Sequence, residues 1–154
     1  MTTEQFKAIA EDPRAFLNRN YRIEERIKMK QRRIEHLHNI CISTTQEIKT
    51  VVAYTGPSDK VGNCVAEALD LEAEIRNDIA GLEQIQRETA EAIELLVSDV
   101  NMRTILESRY LAGMRWEEIA VSMSYAYRWV MRLHLKALDT MKSEAKARCQ
   151  EIPD

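Results

Sequence analysis

Residues Arg115 to Lys136 read RWEEIAVSMSYAYRWVMRLHLK, and the spacing of their apolar side chains decides the fold of the C-terminal part. Take Trp116 as the first position of a twenty-residue unit. Ile119, Met123, Tyr125, Val130 and Leu133 then fall at positions 4, 8, 10, 15 and 18. Those are positions at which two helices crossing at about 90–120° bury side chains against each other. Ala120 stands at position 5, where the second helix passes too close for a larger residue. Ser124 stands at position 9, where the turn needs a left-handed backbone that glycine adopts freely and serine only at a cost. The pattern predicts a helix-turn-helix, whose second helix lies in the major groove of DNA. An ordinary helical hairpin in a bundle core is the plainer alternative.

Two longer runs widen this reading. RYLAG-x-x-WEEIA at Arg109–Ala120, followed by RWVMRLH-x-x-AL at Arg128–Leu138, resembles the region 4 helix-turn-helix of bacterial sigma factors. It is more similar to small phage and prophage proteins with a sigma-like helix-turn-helix at the C-terminus, including late-transcription regulators of the ArpU/RinA type. Upstream, Ser58-Asp59-Lys60-Val61-Gly62 and Leu71-Glu72-Ala73-Glu74-Ile75 resemble the long N-terminal helical arm of the same proteins. The resemblance covers roughly residues 20–140. It implies binding of double-stranded DNA more firmly than any particular promoter.

Composition agrees with an all-α chain. Of 154 residues, only seven are Gly or Pro while 45% are apolar, and no alternating pattern of strands is visible. No run of 18 apolar residues suggests a membrane span, and MTTEQFKAIAEDP has neither the basic start nor the apolar stretch of a signal peptide. Cys41, Cys64 and Cys149 are odd in number and far apart, which predicts free thiols in a reduced cytoplasm, here that of a bacterial host. The net charge of −3 conceals three blocks. Residues 14–49 carry nine Lys/Arg against four Asp/Glu, residues 59–99 three against eleven, and residues 102–148 nine against five. Only the local sign matters within a Debye length of ~10 Å.

Asp12-Pro13 is a helix start, an N-cap followed by proline at the first helical position. From there Phe16, Ile23, Ile27, Ile34, Leu37, Cys41, Ile48 and Val51 recur at heptad-like spacings, with Lys30 and Thr44 in register. Tyr54-Thr55-Gly56-Pro57 stops the run, and Ser58 caps the next helix. Its stripe comprises Val61, Val65, Ala68, Ile75, Ile79, Leu82, Ile93 and Leu96, interrupted by Glu72, Gln86 and Thr89. Segments 13–52 and 59–98 are equal in length, and each would reach about 60 Å. Equal lengths, a short connection and opposite charge predict a long antiparallel helical hairpin, a coiled-coil-like arm. A bend or break at the weakly helical Ser43-Thr44-Thr45 is the alternative. Residues 1–11 read as a short amphipathic helix or a frayed end. The expected organisation is an arm at 1–98, a sigma-like helix-turn-helix domain at 99–148 and a tail at 149–154, disordered over Glu151–Asp154. Within the second domain, Met102–Ala112, Arg115–Met123 and Tyr127–Arg148 are the expected helices, with Gly113 closing the first.

On the last of these helices Val130, Leu133, Ala137 and Met141 form the expected buried face. Tyr127, Arg128, Met131, Arg132 and Lys136 lie on or beside the opposite one. The resemblance implies that Tyr127, Arg128, Met131 and Arg132 occupy positions that read bases or phosphates. Arginine suits that task because its fork grips both acceptors of a guanine edge. Arg115 and Ala126 stand at helix starts where the resembling proteins usually carry serine. Arg115 can supply a longer, charged phosphate contact, and Ala126 cannot. Trp116 and Trp129 read as core or rim packing, and His134 as a partly buried polar residue. His36 and His38 point about 200° apart on one helix, so they cannot share a metal ion. No nucleophile–base pattern, phosphate-binding loop or metal spacing is present, and neither an enzyme nor a cofactor is expected.

The expected function is that of a phage-derived, sequence-specific transcription regulator. Its arm drives homo-oligomerisation, at least to a dimer, and host RNA polymerase is a further expected partner. Two alternatives stay open. One is a DNA-packaging adaptor resembling terminase small subunits. The other is a module that touches RNA polymerase or a sigma factor without reading bases.

Overall fold

The computed structural model describes residues 1–50 and 59–151, and among these every regular element is an α-helix. In chain order they are α1 (Thr3–Glu11), α2 (Pro13–Leu17), α3 (Arg19–Thr50), α4 (Asp59–Leu96), α5 (Val100–Tyr110), α6 (Trp116–Ser122) and α7 (Tyr127–Glu151). The chain is all-α. The expected stop at 54–57, the Ser58 cap and residues 152–154 of the tail lie outside the described residues.

Two compact units form, one of residues 1–22 with 83–154, the other of residues 23–82. This division departs from the expected boundary at 98/99, and packing gives the reason. α1 is a capped helix whose Thr2 hydroxyl accepts from the Gln5 amide while the Gln5 side chain accepts from Thr2. Its Phe6 and Ile9 are buried with Phe16 and Leu17 of α2, Ala92, Ile93 and Leu96 of α4, Met102 and Leu106 of α5, and Ala137, Leu138, Met141 and Ala145 of α7. The N-terminal residues and the last turns of α4 thus belong to the core that holds α5 and α7. Burial of this many aliphatic side chains, each worth about 1.5–3 kcal/mol, outweighs anything a linker at Ser98 could gain from freedom.

The expected continuous helix from Pro13 is also divided. Asp12 caps α2 by accepting from the Ala15 amide at 3.0 Å, but Asn18 forms a turn before α3. The next residue anchors the new helix: Arg19 donates to the Phe16 carbonyl at 2.9 Å and lies over the Phe16 ring. α3 runs through Ser43-Thr44-Thr45 without a break.

In the second unit, α3 buries Ile27 and Leu37, and α4 buries Ala68 and Ile75. Side chains shielded from solvent recur at 23, 27, 30, 34, 37 and 41 on α3 and at 61, 64, 68, 71, 75, 78 and 82 on α4. Both series step by three and four, as a heptad seam does. The α3 series matches expectation from Ile23 to Cys41, and the expected Thr44, Ile48 and Val51 side chains lie outside the described residues. The α4 series matches at Val61, Ala68, Ile75 and Leu82 but not at Val65 and Ile79, which are 48% and 41% exposed while Cys64, Leu71 and Asp78 turn inward. Lys30 explains the shift. It stands in the α3 seam and bonds Asp78 at 2.6 Å and Glu74 at 3.0 Å, which keeps its ammonium above the usual lysine range and draws Asp78 inward. Arg26 pairs with Asp78 at 3.6 Å, and Arg33 pairs with Glu67.

Candidate nucleic-acid interface

α5, α6 and α7 build the region singled out by the sequence. Asp99 caps α5 by accepting from the Met102 amide at 2.9 Å. Gly113 follows that helix in the left-handed conformation, φ 68°. Arg115 has no acceptor to offer as the cap of α6. Glu118 supplies the other half of a capping box, its carboxylate accepting from the Arg115 amide at 2.7 Å. The turn to α7 hinges on Ser124, the one non-glycine residue with positive φ, 56°, among the described residues. Its amide donates to Val121 O at 3.1 Å, and the Tyr125 amide to Ala120 O at 2.9 Å. That pair of bonds is a Schellman motif, which satisfies the last carbonyls of α6.

Ile105, Ile119, Ala120 and Val130 are buried together, and Met114, Trp116, Met123, Tyr125 and Leu133 pack around them. All six residues picked out by spacing (119, 120, 123, 125, 130 and 133) lie in this one cluster. A polar lining joins it. The His134 ring on α7 is 2% exposed, and its Nε2 lies 2.9 Å from the Tyr110 hydroxyl. Trp116 packs on that imidazole with ring centroids 4.6 Å apart. Arg109 lies over the Trp116 ring and donates to Met114 O at 3.0 Å. Desolvation, reinforced by the positive charges of Arg14 and Arg109, lowers the His134 pKa to about 4. The imidazole is therefore neutral at pH 7, and α7 is clamped to α5 and α6 by an uncharged, hydrogen-bonded ring.

Val130, His134, Ala137, Leu138, Met141 and Ala145 form the inner face of α7. Of the expected contact residues, Arg115, Tyr127, Arg128, Arg132 and Lys136 are exposed, and Met131 is half-buried on the flank. Arg128, Arg132 and Lys136 follow one another at four-residue intervals, so they span about 12 Å of one helix side. Among the described residues no carboxylate forms an ion pair with the side chain of any of the three, nor with the Arg115 guanidinium. The first turn of α7 holds no acidic residue, so nothing offsets the positive end of its dipole.

Three apolar residues of this region lie at the surface. Trp129 is 46% exposed between Arg128 and Val130, Leu135 is similarly open, and Val121 on α6 is 80% exposed. Trp129 was legible: one residue before buried Val130 is a rotation of about 100°, which carries it out of the core. Leu133 joins both buried clusters as a half-buried residue. Among the described residues no three His, Cys, Asp or Glu side chains gather as a metal site would require, and no helix is long and apolar enough to cross a membrane. No protein family, curated protein or solved structure matches the chain.

Proposed function

We propose that α6, the Ser124 turn and α7 are a helix-turn-helix that binds double-stranded DNA, and that the chain is a transcription regulator of the sigma-region-4-like phage type. The observation that carries this is the row Arg128, Arg132 and Lys136: three exposed cations on one side of α7 with no acidic partner among the described residues. Their length of about 12 Å matches the width of the major groove. α7 enters with its first turns, where Tyr127, Arg128 and Arg132 meet base edges and phosphates. Arg115 and Lys136 add phosphate contacts, and Trp129 and Leu135 offer apolar surface to thymine methyl groups. Chromatin pull-down with sequencing from the host cell tests this. A shared motif under the recovered peaks is expected, and recovery no better than that of an Arg128→Ala/Arg132→Ala chain would refute it.

The α3–α4 segment is, in this reading, an antiparallel hairpin that brings chains together. Ion pairs from Arg26, Lys30 and Arg33 to acids of α4 support the pairing. Exposed Met29, Val65, Leu69 and Ile79 supply apolar surface for a second copy. A dimer gains by engaging two half-sites. Sedimentation at micromolar concentration should show at least a dimer, and a monomer throughout would remove this part.

One observation favours a second reading. Val121 and Trp129 are open apolar side chains on adjacent helices, as a surface for RNA polymerase or a sigma factor would need. Polymerase binding that survives loss of Arg128 and Arg132 but fails with Val121→Asp would support it.

A further inference from the structure

The helix pair of residues 23–43 and 61–82 contains two of the three cysteines, Cys41 and Cys64, neither of them in a disulfide. Both are half-buried, and both fall on the inward series that step by three and four along α3 and α4. The ion pairs set the register. In an antiparallel pair each step along one helix is matched by a step back along the other. Arg26 opposite Asp78 and Lys30 opposite Glu74 therefore bring Cys41 level with Asn63 and Cys64. Cys64 is also close enough to help raise the Cys41 pKa.

We propose that Cys41 and Cys64 are a covalent modification site, closing to a reversible disulfide that ties α3 to α4 when a low-molecular-weight disulfide of the glutathione class accumulates. This rests on the antiparallel pairing proposed above and is independent of DNA binding. One protein thiolate attacks a sulfur of the small disulfide and expels a small thiol. The other protein thiol then loses its proton, attacks the protein sulfur of the mixed disulfide and expels the second small thiol. Two electrons pass to the small disulfide, and both protein protons end on the released thiols. Burial, helped by the neighbouring Cys64, holds the Cys41 thiol above its ordinary range. Thiolate is then scarce at neutral pH, so closure is slow and quickens as pH rises. A seam disulfide would hold the arm in one register, where an exposed ion pair such as Arg33–Glu67 contributes little.

The test uses the full chain, incubated with oxidised glutathione at mildly alkaline pH without denaturant, alkylated, digested with trypsin and mapped by mass. Cleavage after Arg33, Lys49, Lys60 and Arg76 puts Cys41 and Cys64 on different peptides. The expected product has lost two hydrogens, retains no glutathione, links those two peptides and leaves Cys149 alkylated. Cys41→Ser and Cys64→Ser should each abolish the link, and Cys149→Ser should keep it. Persistent glutathione adducts on Cys41 or Cys64, or links to Cys149 or between chains, overturn the proposal. A parallel arm treats the Cys41→Ser/Cys64→Ser chain with a zero-length carbodiimide, which should couple Lys30 to Asp78 or Glu74. Coupling without a disulfide would overturn the disulfide and leave the hairpin standing; absence of both would overturn the hairpin as well.

Discussion

Basic side chains on α3 and on α7 meet different surroundings. Arg26, Lys30 and Arg33 each reach a carboxylate of α4. Arg128, Arg132 and Lys136 reach none among the described residues. The two regions carry similar excesses of Lys and Arg in the sequence, so composition alone does not separate them. What separates them is the neighbour. Arg26, Lys30 and Arg33 face a strongly acidic helix and are paired with its carboxylates. The α7 cations sit opposite a packed apolar face and meet no carboxylate among the described residues. A charge-rich helix is therefore read by where its counter-charge lies.

The largest effect expected is structural. Ile119→Ala should remove about 2–5 kcal/mol by opening a cavity at the centre of the α5–α6–α7 cluster. Denaturant unfolding measures it. A loss below half a kcal/mol would mean the cluster does not hold α7 in place, and the contrast drawn above would lose its footing.

Next is the pH response of His134. Its pKa falls from 6.5 in the unfolded chain to about 4 when folded, so the unfolded state binds more protons between those values. Its contribution to stability is whole above pH 6.5, declines as pH falls toward 4, and changes no further below that. The loss is up to about 3 kcal/mol across that window. His134→Gln should flatten this part of the stability–pH curve. An unchanged curve would show that the α7 clamp does not depend on a neutral imidazole.

Single substitutions on the outer face come third. Arg132→Ala should cost about 1–3 kcal/mol on the best DNA site and relax preference at one base pair. Lys136→Ala should weaken all sequences alike and reduce the salt slope by about one. If the two variants behave identically across sequences, Arg132 is a phosphate contact and the base reader lies elsewhere. Smallest is Ser124→Gly, which should stabilise by about 0.5–1 kcal/mol, because glycine adopts the left-handed turn without the strain serine bears. A destabilised Ser124→Gly chain would count against strain at this turn.

Much of the α5–α7 region was legible because its constraints are local. Positions 119 to 133 must meet across a short turn, and Ser124 must bend it, whatever else the chain does. Partners from distant sequence were illegible. Phe6 and Ile9 are two apolar residues in a short helix, and nothing nearby says that they pack with Met141 and Ala145. The α4 seam was misread for a related reason. Hydrophobicity selects Val65 and Ile79, whereas the ammonium of Lys30 on another helix turns Asp78 inward instead. For Trp129, read as core or rim packing, rotation around the helix selects the rim.

The contrast between the two cation sets is tested most directly by DNA affinity as a function of salt for three folded proteins: the parent chain, Arg128→Ala/Arg132→Ala and Arg33→Ala. Binding to a site recovered from chromatin should fall at least tenfold in the double variant, with a salt slope lower by about two. Arg33→Ala should keep both affinity and slope, and lose only about 0–1 kcal/mol of stability. Unchanged affinity and slope in the double variant, with the fold intact, would contradict the account and leave α7 as a surface for protein.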